Sequence, residues 1–262
     1  MTYCLAINVD DGIVFCSDSR TNAGTDNVGT YSKMHTFSWP GERYFVLLSA
    51  GNLATTQAVV KKLNSDIPNG LMPNLRSANS MQEAADYVGI VSSMVQKQQT
   101  DRDTSSTNFE ASFIFGGQIA GQSPEIYLVY PQGNYIHESR EHPFLQIGEI
   151  KYGKPILDRV IKRGLDLERT ARCALVSMNS TIRSNVTVGP PVELLMYRRD
   201  ELLEGRKLYL TEDDPLAREI AEKWNQGLTL ALENLPRFTW EIEASGSEAH
   251  RVFNFPGKGG ES

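Results

Sequence analysis

The chain has no dense run of lysine and arginine, no long apolar stretch and only three cysteines, and each shortage removes a class of function. With 26 basic against 32 acidic residues the formal charge is -6, and nowhere do cations cluster closely enough to follow a phosphate backbone. Nucleic acid is not an expected partner. No apolar run approaches the about 18 residues of a membrane-crossing helix, so no membrane partner is expected. The first residues also lack the basic segment, apolar stretch and small-residue cleavage site of a secretory leader, which leaves a cytoplasmic protein as the expectation. Cys4, Cys16 and Cys173 show no CxxC spacing, lie in apolar surroundings and are expected as buried thiols.

Metal and nucleotide signatures are equally sparse. His35, His137, His142 and His250 are scattered without HExxH or paired spacing, so structural or solvated roles are expected and no metal site. Gly116-Gly117 and Gly257 to Gly260 fit neither a GxGxxG nor a P-loop frame, which leaves nucleotide binding unsupported.

What is present is a chain of 262 residues, 40% of them hydrophobic, enough for a substantial core. Tyr3 to Val9 and Ile13 to Ser17 read as strands joined by the turn signal Asp10-Asp11-Gly12. Arg20 to Ser32 is rich in Thr, Asn, Gly and Asp and reads as a loop. A second strand pair, Lys33 to Phe37 and Arg43 to Ser49, surrounds Trp39-Pro40-Gly41-Glu42. After Gly51 the period changes: Leu53, Ala54, Ala58, Val59 and Leu63 share a helical face. Ser80 with Glu83 makes a capping box for a second helix whose core face is Ala84, Val88, Val91 and Val95.

Strands are expected again at Phe109 to Phe115, Glu125 to Tyr130 and Tyr135 to His137, then helices at Tyr152 to Arg163 and Leu167 to Arg183. A strand at Val192 to Arg198 and a helix at Pro215 to Glu233, capped by Asp213-Asp214, complete the pattern. Strands, two helices, strands, two helices is not βαβ alternation. It predicts an α+β layered domain with mainly antiparallel sheets covered by helix pairs. One domain over residues 1–236 is expected, with an extension over 237–262 that packs partly through Phe238, Trp240, Val252 and Phe253 before PGKGGES frays.

The chemistry starts at Thr2. Methionine aminopeptidase normally removes Met1 before a residue as small as threonine, leaving a hydroxyl to attack a carbonyl and a free α-amine to accept its proton. With a reference pKa of about 7.7–8.0, such an amine is roughly a tenth neutral at pH 7. Asp18 in CSDSR, Lys33 in YSKMH and Gly51 in LLSAGNLATTQ each fall at the end or start of an expected element. Lys33 would lower the pKa of nearby groups and stabilise negative charge, Asp18 would hold its ammonium, and the Gly51 N–H would face an oxyanion.

These blocks resemble, in order, the threonine, aspartate, lysine and glycine blocks of the proteasome-type N-terminal-nucleophile hydrolases. MTYCLAINVDDGIVFCSDSRTNAG and STIRSNVTVGPPVELL are similar to a bacterial branch of that family. The resemblance covers Thr2 to about Asn134 and, less sharply, extends to Tyr197. It implies a four-layer αββα sandwich and a threonine-type peptidase for peptide or unfolded-protein substrates, self-associating into a ring-like or open helical homo-oligomer. It implies no metal or organic cofactor. Some bacterial members work with an ATPase, but no docking motif for one is legible.

Carried over by position, Thr2 is the nucleophile, Asp18 and Lys33 the charge pair and Gly51 the oxyanion amide, while Thr21, Ser49 and Leu53 border the pocket for the residue before the cut. Two positions depart from the family's pattern. QIGEI puts Glu149 where a serine is usual, and RSNVTVG puts Asn185 where an aspartate is usual, with Thr187 or Val188 opposite a further serine. Those groups hold the α-amine and the attacking water, so both residues join the candidate site. Two rival readings remain: a small-molecule amidohydrolase on the same fold, and a non-catalytic assembly protein.

Overall fold

The computed structural model describes residues 1–22, 28–70, 72–103 and 107–246. His250, Val252, Phe253, Gly257 to Gly260 and the remainder of PGKGGES lie outside the described residues. The chain divides into two compact units, 1–222 and 223–262.

Asp10 and Asp11 turn the chain between β1 (Tyr3–Val9) and β2 (Gly12–Asp18), which pair antiparallel with Val9 opposite Gly12. Every residue of both strands is buried, although the sheet is antiparallel. Alternation along each strand therefore divides two cores, not core from solvent. On β1, Tyr3, Leu5 and Ile7 face one buried cluster while Cys4 and Ala6 face another.

The first sheet has the order β10-β1-β2-β11-β12, adding β10 (Phe144–Gly148), β11 (Val192–Arg198) and β12 (Arg206–Leu210). The second has the order β5-β6-β7-β8-β9, from β5 (Met34–Trp39), β6 (Arg43–Gly51), β7 (Ala111–Ile119), β8 (Glu125–Val129) and β9 (Tyr135–His137). All ladders are antiparallel. The sheets meet through Ala6, Phe15, Val46, Leu48, Ile114 and Leu195.

On the outer face of the second sheet, α1 (Leu53–Asp66) and α2 (Met81–Thr100) bury Val59, Leu63, Ala84, Val88, Val91 and Val95 against Phe45, Leu47, Phe113 and Phe115. On the outer face of the first, α3 (Lys154–Val160) and α4 (Leu167–Ser184) bury Leu157, Ala174 and Met178 against Leu5, Ile7 and Val14. The result is the four-layer αββα sandwich. The expected caps form: the Ser80 Oγ accepts from Glu83 N at 3.1 Å, and Asp214 Oδ1 accepts from Leu216 N at 2.9 Å at the start of α5 (Pro215–Glu233). The three cysteines are buried free thiols. No helix among the described residues is long and apolar enough to cross a membrane.

Five short elements escape the sequence pattern. Within the expected loop, β3 (Arg20–Asn22) pairs with β4 (Val28–Thr30), because threonine-flanked backbone can ladder even in a turn-rich composition. Edge strands β10 and β12 were not expected, and neither was α6 (Thr239–Gly246). In the 223–262 unit, the rings of Phe238 and Trp240 stack with centroids 4.6 Å apart and remain exposed. Helix α3 is shorter than its pattern predicts, beginning after Gly153 with Pro155 in its first turn.

Leu47 is fully buried between β6 and the helix layer. Leu47→Ala should cost about 2–5 kcal/mol, read as a lower urea midpoint at unchanged slope.

Candidate active site

Several elements end at one place. β1 starts at Tyr3, just after Thr2; β2 ends at Asp18; Lys33 immediately precedes β5; β6 ends at Gly51; and β10 ends at Gly148. The pairing of Tyr3 with Gly148 and of Cys4 with Ser17 sets these ends side by side.

Asp18 is fully buried, and its carboxylate gathers the site. Oδ1 accepts from Lys33 Nζ at 2.7 Å and from Tyr3 N at 3.0 Å, while Oδ2 accepts from Gly189 N at 3.3 Å. Lys33 Nζ also donates to the Arg20 carbonyl at 2.7 Å. Burial pushes the Asp18 carboxyl above its ordinary value; the Lys33 ammonium and the two backbone donors pull the other way without cancelling it.

Gly51 is required by geometry. Its φ is +114°, and a Cβ there would stand 2.3 Å from the Glu110 carbonyl oxygen. The next residue, Asn52, caps α1 by accepting from Thr55 N at 3.2 Å, so Gly51 directly precedes a capped helix N-terminus.

A cavity of about 530 Å³ collects six of the predicted residues: Thr2, Lys33 and Gly51 line it, as do Thr21, Ser49 and Leu53, whereas Asp18, Glu149 and Asn185 do not. A larger cavity of about 710 Å³, around Tyr127, His137 and Arg163, contains none of them. The N-terminal amine, on Met1 in this chain, is shifted below its ordinary value, first by burial and then by Lys33, against the opposing pull of Asp18 and Glu149.

Glu149 and Asn185 meet. Asn185 Nδ2 donates to Glu149 Oε2 at 2.8 Å, and Glu149 N donates to the Thr2 carbonyl at 2.7 Å. Thr187 reaches the same group, its Oγ1 donating to Asn185 Oδ1 at 2.6 Å.

Tyr31, His35 and Gln57 also line the cavity and were not anticipated. His35, expected in a structural or solvated role, forms part of the cavity wall. Tyr31 and His35 lie two residues on either side of Lys33, and Ser32 between them lines the same cavity. Gln57 follows Leu53 by one helical turn. His35 is held below its ordinary pKa, mainly by burial, with Glu193 opposing and Lys207 assisting. Beneath it, Glu193 is paired with Lys207 at 3.1 Å and accepts from Ser32 Oγ at 2.6 Å.

A four-layer αββα sandwich with a threonine, an aspartate–lysine pair and a strand-end glycine at one cavity is the arrangement of an N-terminal-nucleophile hydrolase fold, and the chain belongs to the proteasome-subunit family, whose model matches residues 2–196. Within it, the chain is similar to Anbu, the ancestral beta-subunit. Anbu from Yersinia bercovieri is 40% identical with a TM-score of 0.86, over 90% of this chain and 99% of that one. The helical assembly of the Anbu complex from Pseudomonas aeruginosa gives 45% identity and a TM-score of 0.86, over 90% and 98%. A Gly-1 mutant of Anbu from Hyphomicrobium sp. strain MC1 gives 41% and 0.85, over 91% and 99%. Curated protein sequences include no significant match to the chain.

Asp18→Asn would leave the buried Lys33 ammonium without its counter-charge and should destabilise the fold by about 3 kcal/mol. Because burial outweighs the pairing at Asp18, replacing both residues (Asp18→Asn with Lys33→Met) should cost less than the single change. Urea unfolding of the two single variants and the double variant measures the coupling.

Proposed function

We propose that the chain is a threonine-type peptidase whose nucleophile is Thr2 after removal of Met1. The observation that carries this reading is the convergence of Thr2, Lys33 and Gly51 on one cavity, with Asp18 holding the Lys33 ammonium from beside it. Membership of the proteasome-subunit family supports it.

In the proposed reaction, Thr2 Oγ attacks the scissile carbonyl carbon while its proton passes to the Thr2 α-amine. The Lys33 ammonium, fixed by Asp18, stabilises negative charge on the attacking oxygen, and the Gly51 N–H receives the oxyanion. The intermediate collapses as the C–N bond breaks and the α-ammonium protonates the leaving amine, leaving an ester on Thr2. Water, deprotonated by the same amine, then releases the acid and restores the hydroxyl. Nothing in these steps calls for a metal or organic cofactor. Thr21, Ser49 and Leu53 border the space for the residue preceding the cut, with Leu53 limiting it to apolar side chains of modest size.

The substrate class is peptide or unfolded protein in the cytoplasm. Self-association into a ring-like or helical homo-oligomer belongs to the same proposal, supported by the helical assembly of the Pseudomonas aeruginosa relative. No ATPase partner is assigned.

Intact mass should show loss of Met1, and a covalent threonine-directed inhibitor should label Thr2. Thr2→Ala should abolish both labelling and peptide hydrolysis. Turnover of simple amides without peptide cleavage would assign an amidohydrolase instead, and a native chain that keeps Met1 would remove the nucleophile.

A further inference from the structure

A third cavity, of about 450 Å³, is lined from α4, β11, β12 and the first turns of α5, entirely by residues of the 1–222 unit. Its size is that of a small-molecule site, and such sites are mostly apolar with a few placed polar groups. Met178, Val192 and Leu210 contribute buried wall from the core outside the first sheet, and Ala217 and Ile220 contribute partly buried wall from α5. Val186 also lines the cavity and is left 81% exposed.

The placed polar group is Arg20, which lines this cavity as well as the one that holds Thr2. Its backbone is fixed, N donating to the Gly189 carbonyl at 3.3 Å and the carbonyl accepting from Lys33 Nζ at 2.7 Å. Its guanidinium lies against Gly189, where a Cβ would stand 2.3 Å from Cζ and displace it. Nη1 donates to the Val186 carbonyl at 2.9 Å. The guanidinium pairs with no carboxylate among the described residues. An arginine fork with one nitrogen spent on a carbonyl still has donors for a carboxylate. Of the other charged lining residues, Arg218 is paired with Asp213 and Glu212 is exposed.

We propose that this cavity binds a medium-chain aliphatic carboxylate, its hydrocarbon against Met178, Val192 and Ile220 and its carboxylate on the Arg20 guanidinium. The unpaired cation selects an anion over an amine. Apart from Asn179 and Thr211 the lining offers no neutral polar side chain to a peptide's amides, which favours a hydrocarbon chain over a peptide. The site stands whether or not the chain is a peptidase. It adjoins the buried ion pair all the same, because Gly189 N donates to Asp18 Oδ2 at 3.3 Å. A ligand seated on Arg20 therefore steadies the segment that supplies this donor.

Calorimetric titration of the full chain with decanoate, below its micelle concentration, should show one saturable site per chain. Decylammonium should show none, and N-acetylleucine, with a shorter apolar group, should bind at least about tenfold more weakly than decanoate. Arg20→Gln should weaken decanoate binding by about tenfold or more. Ala217→Phe, which fills the cavity from its partly buried wall, should abolish it. Hydrogen exchange at the Gly189 amide should slow on adding decanoate to the wild type and stay unchanged in Ala217→Phe. Decanoate binding that survives in folded Ala217→Phe overturns the proposal and places the ligand elsewhere on the chain. So does the absence of saturable binding, decylammonium binding as tightly as decanoate, or N-acetylleucine binding more tightly. No substrate enters these measurements, so a chain that cleaves no peptide still tests them.

Discussion

The ion pair between Asp18 and Lys33 is the constraint around which this end of the molecule is arranged. A charge pair taken from water is tolerated only when its remaining hydrogen-bonding capacity is also met, and here the donors and acceptors come from separate segments. Tyr3 N supplies one from the first strand, Gly189 N a second from the chain leaving α4, and the Arg20 carbonyl receives the ammonium. Each contact fixes a backbone that carries another site residue. Burial still raises the Asp18 carboxyl against the pull of Lys33 and the two backbone donors.

That sandwich has three buried layers of side chains, and the two inner strand pairs divide their residues between them. A polar seam crosses this packing at Tyr3. Its hydroxyl meets Ser177 Oγ at 2.7 Å on α4, and a Cβ on Gly153 would come within 2.3 Å of that oxygen. The first strand is thereby registered against the helix layer as well as against its neighbours. Precision at Thr2 comes from this double registration.

Long strands and helices were legible because alternation and helical spacing persist over many residues, as in β6 and α2. Thr2, Asp18, Lys33 and Gly51 were legible because they punctuate such elements. FLQIG was not recognised as a strand, since its pattern runs straight on from the loop around Pro143 without a turn signal. RKLYL was missed because its exposed edge position removes the alternation that burial enforces. Missing β10 also hid the meeting of Glu149 with Asn185, a contact 36 residues apart in sequence that joins the end of β10 to the C-terminal cap of α4. His35 was passed over because a pocket wall carries no separate signature in the sequence.

The grip on the first residues has a temporal side. With the Tyr3 N–H tied to Asp18 and the Thr2 carbonyl to Glu149, the backbone after Thr2 is held in place, and Met1 lies along the cavity wall. On the proposed reading, a newly made subunit carries its own obstruction at the mouth of its binding space. On that reading, removal of Met1 both unveils the nucleophile and opens part of the cavity wall.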